Sequence, residues 1–113
     1  MSVKIERISD ALIEQISYIV SNKVKNNNID FVTITDVKVS SDLSYAKVYF
    51  TVLDDSKKDI TKKALKEASG FIRHELRDRV DIRQIPELSF IYDESIDEAK
   101  KIEDIIDSLH EEN

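Results

Sequence analysis

Apolar residues recur at Ile5, Ile8, Leu12, Ile16, Ile19, Val20 and Val24, and these steps of three or four predict an amphipathic helix from about Lys4 to Lys25. Glu6, Arg7, Asp10 and Glu14 fall largely outside the stripe, and Asn26-Asn27-Asn28 ends it, because asparagine favours turns and tolerates left-handed backbone. The period then changes. Phe31 to Val39 is rich in β-branched residues and predicts a strand. Its alternation shifts phase near Thr35-Asp36, from Val32/Ile34 to Val37/Val39, which a bulge or burial of both faces would produce. Tyr45 to Leu53 alternates cleanly, with Ala46, Val48, Phe50 and Val52 on one face and Tyr45, Lys47, Tyr49 and Thr51 on the other. The short polar link Ser40–Ser44 makes the two strands an antiparallel hairpin. Tyr45 and Tyr49 are read as packing on the sheet rather than stacking on bases.

A second helical stripe follows at Ile60, Ala64, Ala68, Phe71, Ile72, Leu76 and Val80, after Ser56-Lys57-Lys58-Asp59, which has the outline of a capping box. Gly70 lies inside this stripe and is the chain's single glycine. Glycine within a helix costs about 1 kcal/mol relative to alanine, so Gly70 is expected to break the stretch into a kinked pair of short helices. Lys62, Lys66, Arg73 and Arg77 repeat on a different face, two on each side of Gly70. A break frees N–H groups at the start of the second helix, and among cations such a kink is a seat for phosphate. The competing readings are a glycine that merely stops a helix and a charged face that is merely solvated.

Pro86 rules out continued helix, and Leu88, Phe90 and Tyr92 alternate with Ser89 and Ile91 as a third strand. Ser95-Ile96-Asp97-Glu98 is a better capping box, and Ile96, Ala99, Ile102, Ile105, Ile106 and Leu109 continue it as a last helix. The expected fold is therefore α+β: helix, strand, strand, kinked helix pair, strand, helix. A crossover between the second and third strands makes the three-stranded sheet mixed, with helices covering its apolar face.

With 113 residues the chain is expected to form one domain, 1–113, whose last few residues fray. It has no cysteine, no apolar leader and no apolar run long enough to span a bilayer, which points to a soluble cytoplasmic protein. The net charge of −6 is unevenly spread. Lys57 to Arg83 holds nine bases and five acids, a net +4, whereas Gln84 to Asn113 holds two bases and ten acids, a net −8. Binding follows the local field within a Debye length of about 8 Å, so the basic middle suits a polyanion despite the total. His74 and His110 are the two histidines, and no nucleophile–base spacing or glycine-rich phosphate loop accompanies them. Neither an enzyme nor a cofactor is expected. Asp93, Glu94, Asp97 and Glu98 are explained by a helix start, without a metal.

Three blocks in order carry a family resemblance: Val32 to Leu43 with Ala46-Lys47-Val48-Tyr49, then Ala68-Ser69-Gly70-Phe71-Ile72-Arg73, then Pro86 to Asp93. Together with Arg7-Ile8 in the first helix, they resemble the ribosome-binding factor A family over nearly the whole chain. The resemblance implies a type II KH-like domain and a non-catalytic factor that binds the immature 30S subunit. Such a factor helps 16S rRNA mature, notably in the cold, alongside assembly GTPases such as Era and RsgA. KH domains commonly clamp single-stranded RNA with a GXXG loop. In this family an Ala-x-Gly kink replaces it, carried here by Ala68, Ser69 and Gly70. Asn26-Asn27-Asn28 departs from the Asp-Pro-Arg turn common in the family.

The expected RNA surface is thus Lys62, Lys63, Lys66, Ala68, Ser69, Gly70, Arg73, Arg77, Arg79 and Arg83, on a monomer. Phe71 is assigned to the core, which leaves no aromatic among the cations and favours backbone recognition over base reading. Neutralising about five phosphates would give a salt slope near −3.5 on log axes for single-stranded RNA. Charge reversal at Arg73 and Arg77 is expected to weaken subunit binding and spare folding. The alternative function is a protein-interaction adaptor that uses the acidic C-terminal helix and the hairpin edge.

Overall fold

The computed structural model describes residues 3–29 and 31–95; the acidic last helix expected from the sequence falls outside them. Helix α1 spans Val3–Asn22, strand β1 Val32–Val39, strand β2 Tyr45–Val52, helix α2 Lys58–Arg77 and strand β3 Glu87–Tyr92. The sheet order is β1-β2-β3. β1 and β2 form the antiparallel hairpin, and α2 carries the chain across so that β3 runs parallel to β2. The mixed α+β fold agrees with the sequence pattern. Among the described residues, no helix is long and apolar enough to cross a membrane.

The phase change in β1 is a bulge. The pairing with β2 shifts between Ile34 and Asp36, so Ile34 stays opposite Phe50 while Asp36 meets Tyr49. The extra residue returns Val37 to the inner face, and Ile34 and Val37 are both buried. α1 turns Leu12, Ile16 and Ile19 completely inward, and α2 does the same with Leu65, Ile72 and Leu76. These six side chains meet Val48 and Phe50 of the central strand in one core. The rings of Phe50 and Tyr92 pack edge to face, with centroids 5.6 Å apart.

The kink does not exist. α2 runs unbroken through Gly70, which has no positive φ and is exposed. Magnitudes explain the outcome: each of Leu65, Ile72 and Leu76 contributes about 1.5–3 kcal/mol by burial, whereas one helical glycine costs about 1. The helix also ends at Arg77 rather than near Val80: Asp78 N–H bonds back to the Glu75 carbonyl, and the Leu76 carbonyl accepts from the N–H groups of Arg79 and Val80. Its start differs from the expected capping box. Asp54 instead caps a 3₁₀ turn at Asp55–Lys57 by accepting from Ser56 N–H at 3.0 Å, and α2 begins without a side-chain cap.

Two apolar assignments also fail. Phe71 and Ile60 are 45% and 48% exposed, because they lie at the edge of the stripe, beyond the cover that α1 and the sheet provide. Leu65, which a count by threes and fours from Ile60 steps over, is fully buried instead. Thr61 is the buried polar residue of α2, and its hydroxyl donates to the Asn28 carbonyl at 3.0 Å, tying the helix to the segment after α1.

Candidate nucleic-acid interface

On a helix turning about 100° per residue, Lys62, Lys66, Arg73 and Arg77 fall within about 60° of one another. This stripe runs beside β3. Lys62 and Lys66 are exposed and line a groove of about 480 Å³ together with Tyr45 and Glu87 to Ile91 of β3. Among the described residues β3 is an edge strand, so its outer backbone groups border the groove without a neighbouring strand. Tyr45, the first residue of β2, is 60% exposed there. It is therefore an aromatic among the cations, contrary to its assignment to sheet packing. Tyr49 keeps that assignment: it is half-buried, with Lys38 Nζ 5.4 Å from its ring centroid.

The predicted RNA-binding residues divide into three sets. Lys62, Lys66 and Arg77 are exposed along the stripe, and Lys63 is exposed about 100° from Lys62, on the next side of the helix. Arg73 is half-buried; its Nη2 donates to the Ile85 carbonyl at 3.0 Å, and its Nε is buried without a partner among the described residues. Arg73 thus fastens the segment entering β3 to α2, and the expectation that its charge reversal would spare folding is withdrawn. Arg79 and Arg83 lie elsewhere. The Arg79 guanidinium sits 4.7 Å from the Tyr18 ring centroid, and both arginines line a groove against the first turns of α1.

The Ala68-Ser69-Gly70 triplet offers no anion seat. Ala68 packs against the core, and the Ser69 hydroxyl donates within the helix to the Lys66 carbonyl at 2.7 Å. The N–H groups that a break would free remain inside a continuous helix. Two groove-lining residues were not on the expected surface. Strand alternation already placed Tyr45 outward with Lys47. Arg7 entered only through the family resemblance, and its proximity to Arg79 and Arg83 arises on folding.

The family profile described as "Ribosome-binding factor A" matches residues 4–106. The protein of that name from Staphylococcus epidermidis is 50% identical over 110 residues, covering 96% of this chain and 95% of its own. The one from Staphylococcus saprophyticus is 48% identical over 114 residues and covers all of both chains. Among solved structures, the crystal structure of ribosome-binding factor A from Thermus thermophilus superposes with a TM-score of 0.72. It shares 20% identity and covers 78% of this chain and 94% of its own. A Thermus thermophilus homology model fitted into the cryo-EM map of a 30S complex gives a TM-score of 0.62 at 21% identity, covering 74% of this chain and 89% of its own. The profile spans most of the sequence and the curated relatives match along nearly its full length: the chain belongs to the ribosome-binding factor A family.

Proposed function

We propose that this chain is a non-catalytic assembly factor that binds the immature 30S subunit and assists 16S rRNA maturation. The observation that carries the reading is the groove between α2 and β3, where Lys62 and Lys66 stand over an open strand edge with Tyr45 at its side. Lysines at such a groove hold phosphates as point charges, and an exposed tyrosine gives one base a surface to stack on. In a protein of net charge −6, this local basic face presents itself to RNA despite the overall charge. Arg77 extends the cation track along the same face of α2. We read the arrangement as a type II KH-like domain in which one continuous helix stands where two usually meet at a GXXG loop. Contact then depends on cations along the helix, with no anion pocket at its middle. The same reading makes the protein a cytoplasmic monomer that works alongside assembly GTPases without a cofactor, notably in the cold.

The test is charge reversal of the exposed pair. A folded Lys62→Glu/Lys66→Glu variant should co-sediment with immature 30S subunits at least about tenfold more weakly, and the salt slope for single-stranded RNA should flatten by about 1.4. Undiminished co-sedimentation of that variant would contradict the reading. Binding that ignores salt and is lost on removing residues 96–113 would instead favour an adaptor.

A further inference from the structure

A second groove, of about 500 Å³, lies between the first half of α1 and the segment after α2, and shares no lining residue with the α2–β3 groove. Lys4, Arg7, Arg79 and Arg83 stand around it, against the two carboxylates of Glu14 and Asp81. Its floor is apolar, built from Ile8 and Leu12 of α1 and Val80 and Ile82 after α2. Leu43 closes one side from the β1–β2 turn with a φ of 62°, a left-handed conformation that is unfavourable for leucine. Asp42 secures the turn by accepting from the Ser40 and Ser44 hydroxyls at 2.8 and 2.6 Å. Those bonds hold its carboxyl down at about 2.

We propose that this groove takes one unstacked RNA nucleotide, its base on the apolar floor against Arg79 and its flanking phosphates on Lys4, Arg7 and Arg83. The inference rests on the RNA-binding reading above and adds a second, base-accepting contact to it. Three observations favour a nucleotide over an acidic protein segment. Arg79 is held 4.7 Å from the Tyr18 ring, so a guanidinium plane is already positioned beside the floor, and bases stack on such planes. Its Nε is already shielded from solvent, so the side chain is held in place before a base arrives. The groove is also short: a helix about 10 Å across would fill 500 Å³ in little more than one turn, whereas the volume lies within the range of about 300–1,000 Å³ typical of small-ligand pockets.

Zero-length ultraviolet crosslinking of the full chain to immature 30S subunits, with nucleotide–peptide adducts mapped, tests the site. Adducts are expected in the Arg79–Arg83 segment or the first turns of α1, besides those at Tyr45. Ala11 lines the groove, so Ala11→Phe fills it without changing charge. That variant should lower adduct yield there on the order of tenfold while leaving the yield at Tyr45 intact. Should it fail to fold, Arg7→Gln/Arg83→Gln at two exposed positions should give the same fall. Adducts at Tyr45 with none at this groove would overturn the proposal and leave the RNA-binding reading standing. A groove adduct indifferent to the folded variants, or a ribosomal protein crosslinked there instead, would also overturn it. No RNA adduct anywhere on a chain that still co-sediments would remove both.

Discussion

Lys66 and Arg73 lie about 20° apart around the axis of α2, and the fold uses them in opposite ways. Lys66 borders an open groove and is exposed, whereas Arg73 is drawn in to hold the Ile85 carbonyl at 3.0 Å. The difference comes from what passes beside each residue. Lys66 faces the edge strand β3 across an open groove, whereas alongside Arg73 runs the segment before β3, whose Ile85 carbonyl accepts its guanidinium. Arg79 repeats the second pattern by stacking on Tyr18. Periodic charge therefore tells which side of a helix a cation occupies. Whether that charge is available to a partner depends on the next segment of chain.

The sharpest way to break this contrast is Arg73→Glu. It removes a charge-assisted hydrogen bond and sets a carboxylate against a carbonyl, and is expected to lower stability by about 2–3 kcal/mol in urea unfolding. Arg73→Lys should recover only part of that, because an ammonium lacks the guanidinium's spread of donors. An unchanged midpoint for Arg73→Glu would return this residue to the exposed set with Lys66. Thr61→Val probes the corresponding anchor near the start of α2. It leaves the Asn28 carbonyl without its donor, and stability should fall by about 1–2 kcal/mol at constant m-value.

The other side of the contrast is milder and concerns binding. Neutralising Lys62 and Lys66 as Lys62→Gln/Lys66→Gln should change stability by no more than about 0.5 kcal/mol, since both are exposed. Filter-binding titrations with single-stranded RNA should nevertheless show the log–log salt slope reduced by about 1.4. A large loss of stability would show that these lysines, too, serve the fold.

Local pattern made much of this fold legible. The bulge near Thr35-Asp36 could be read because a phase change in alternation lies within one strand. The hairpin and the crossover to β3 followed from link lengths. The candidate site was legible only as a set of cations. Arg73 and Arg77 look alike in sequence, and what separates them is a carbonyl twelve residues beyond Arg73. Ile60 and Phe71 show the same limit for apolar residues: periodicity assigns a direction, but only the placement of α1 and the sheet decides how wide the covered stripe is.

Gly70 gives the smallest effect and the most direct test of a continuous α2. Its φ is not left-handed, and a Cβ added there would meet nothing within 4 Å. Gly70→Ala should therefore raise stability by about 0.5–1 kcal/mol, because alanine loses less backbone freedom in a helix. If the cations act from one unbroken rod, subunit binding should be unchanged. A variant more stable yet several-fold weaker in co-sedimentation would mean that the helix bends at this position on the ribosome. The flexibility of glycine would then serve the bound state, and Lys62 and Lys66 would meet RNA in a different alignment with Arg77 from that of the free protein. Measuring both quantities on the same preparation separates a helix that tolerates its glycine from one that uses it.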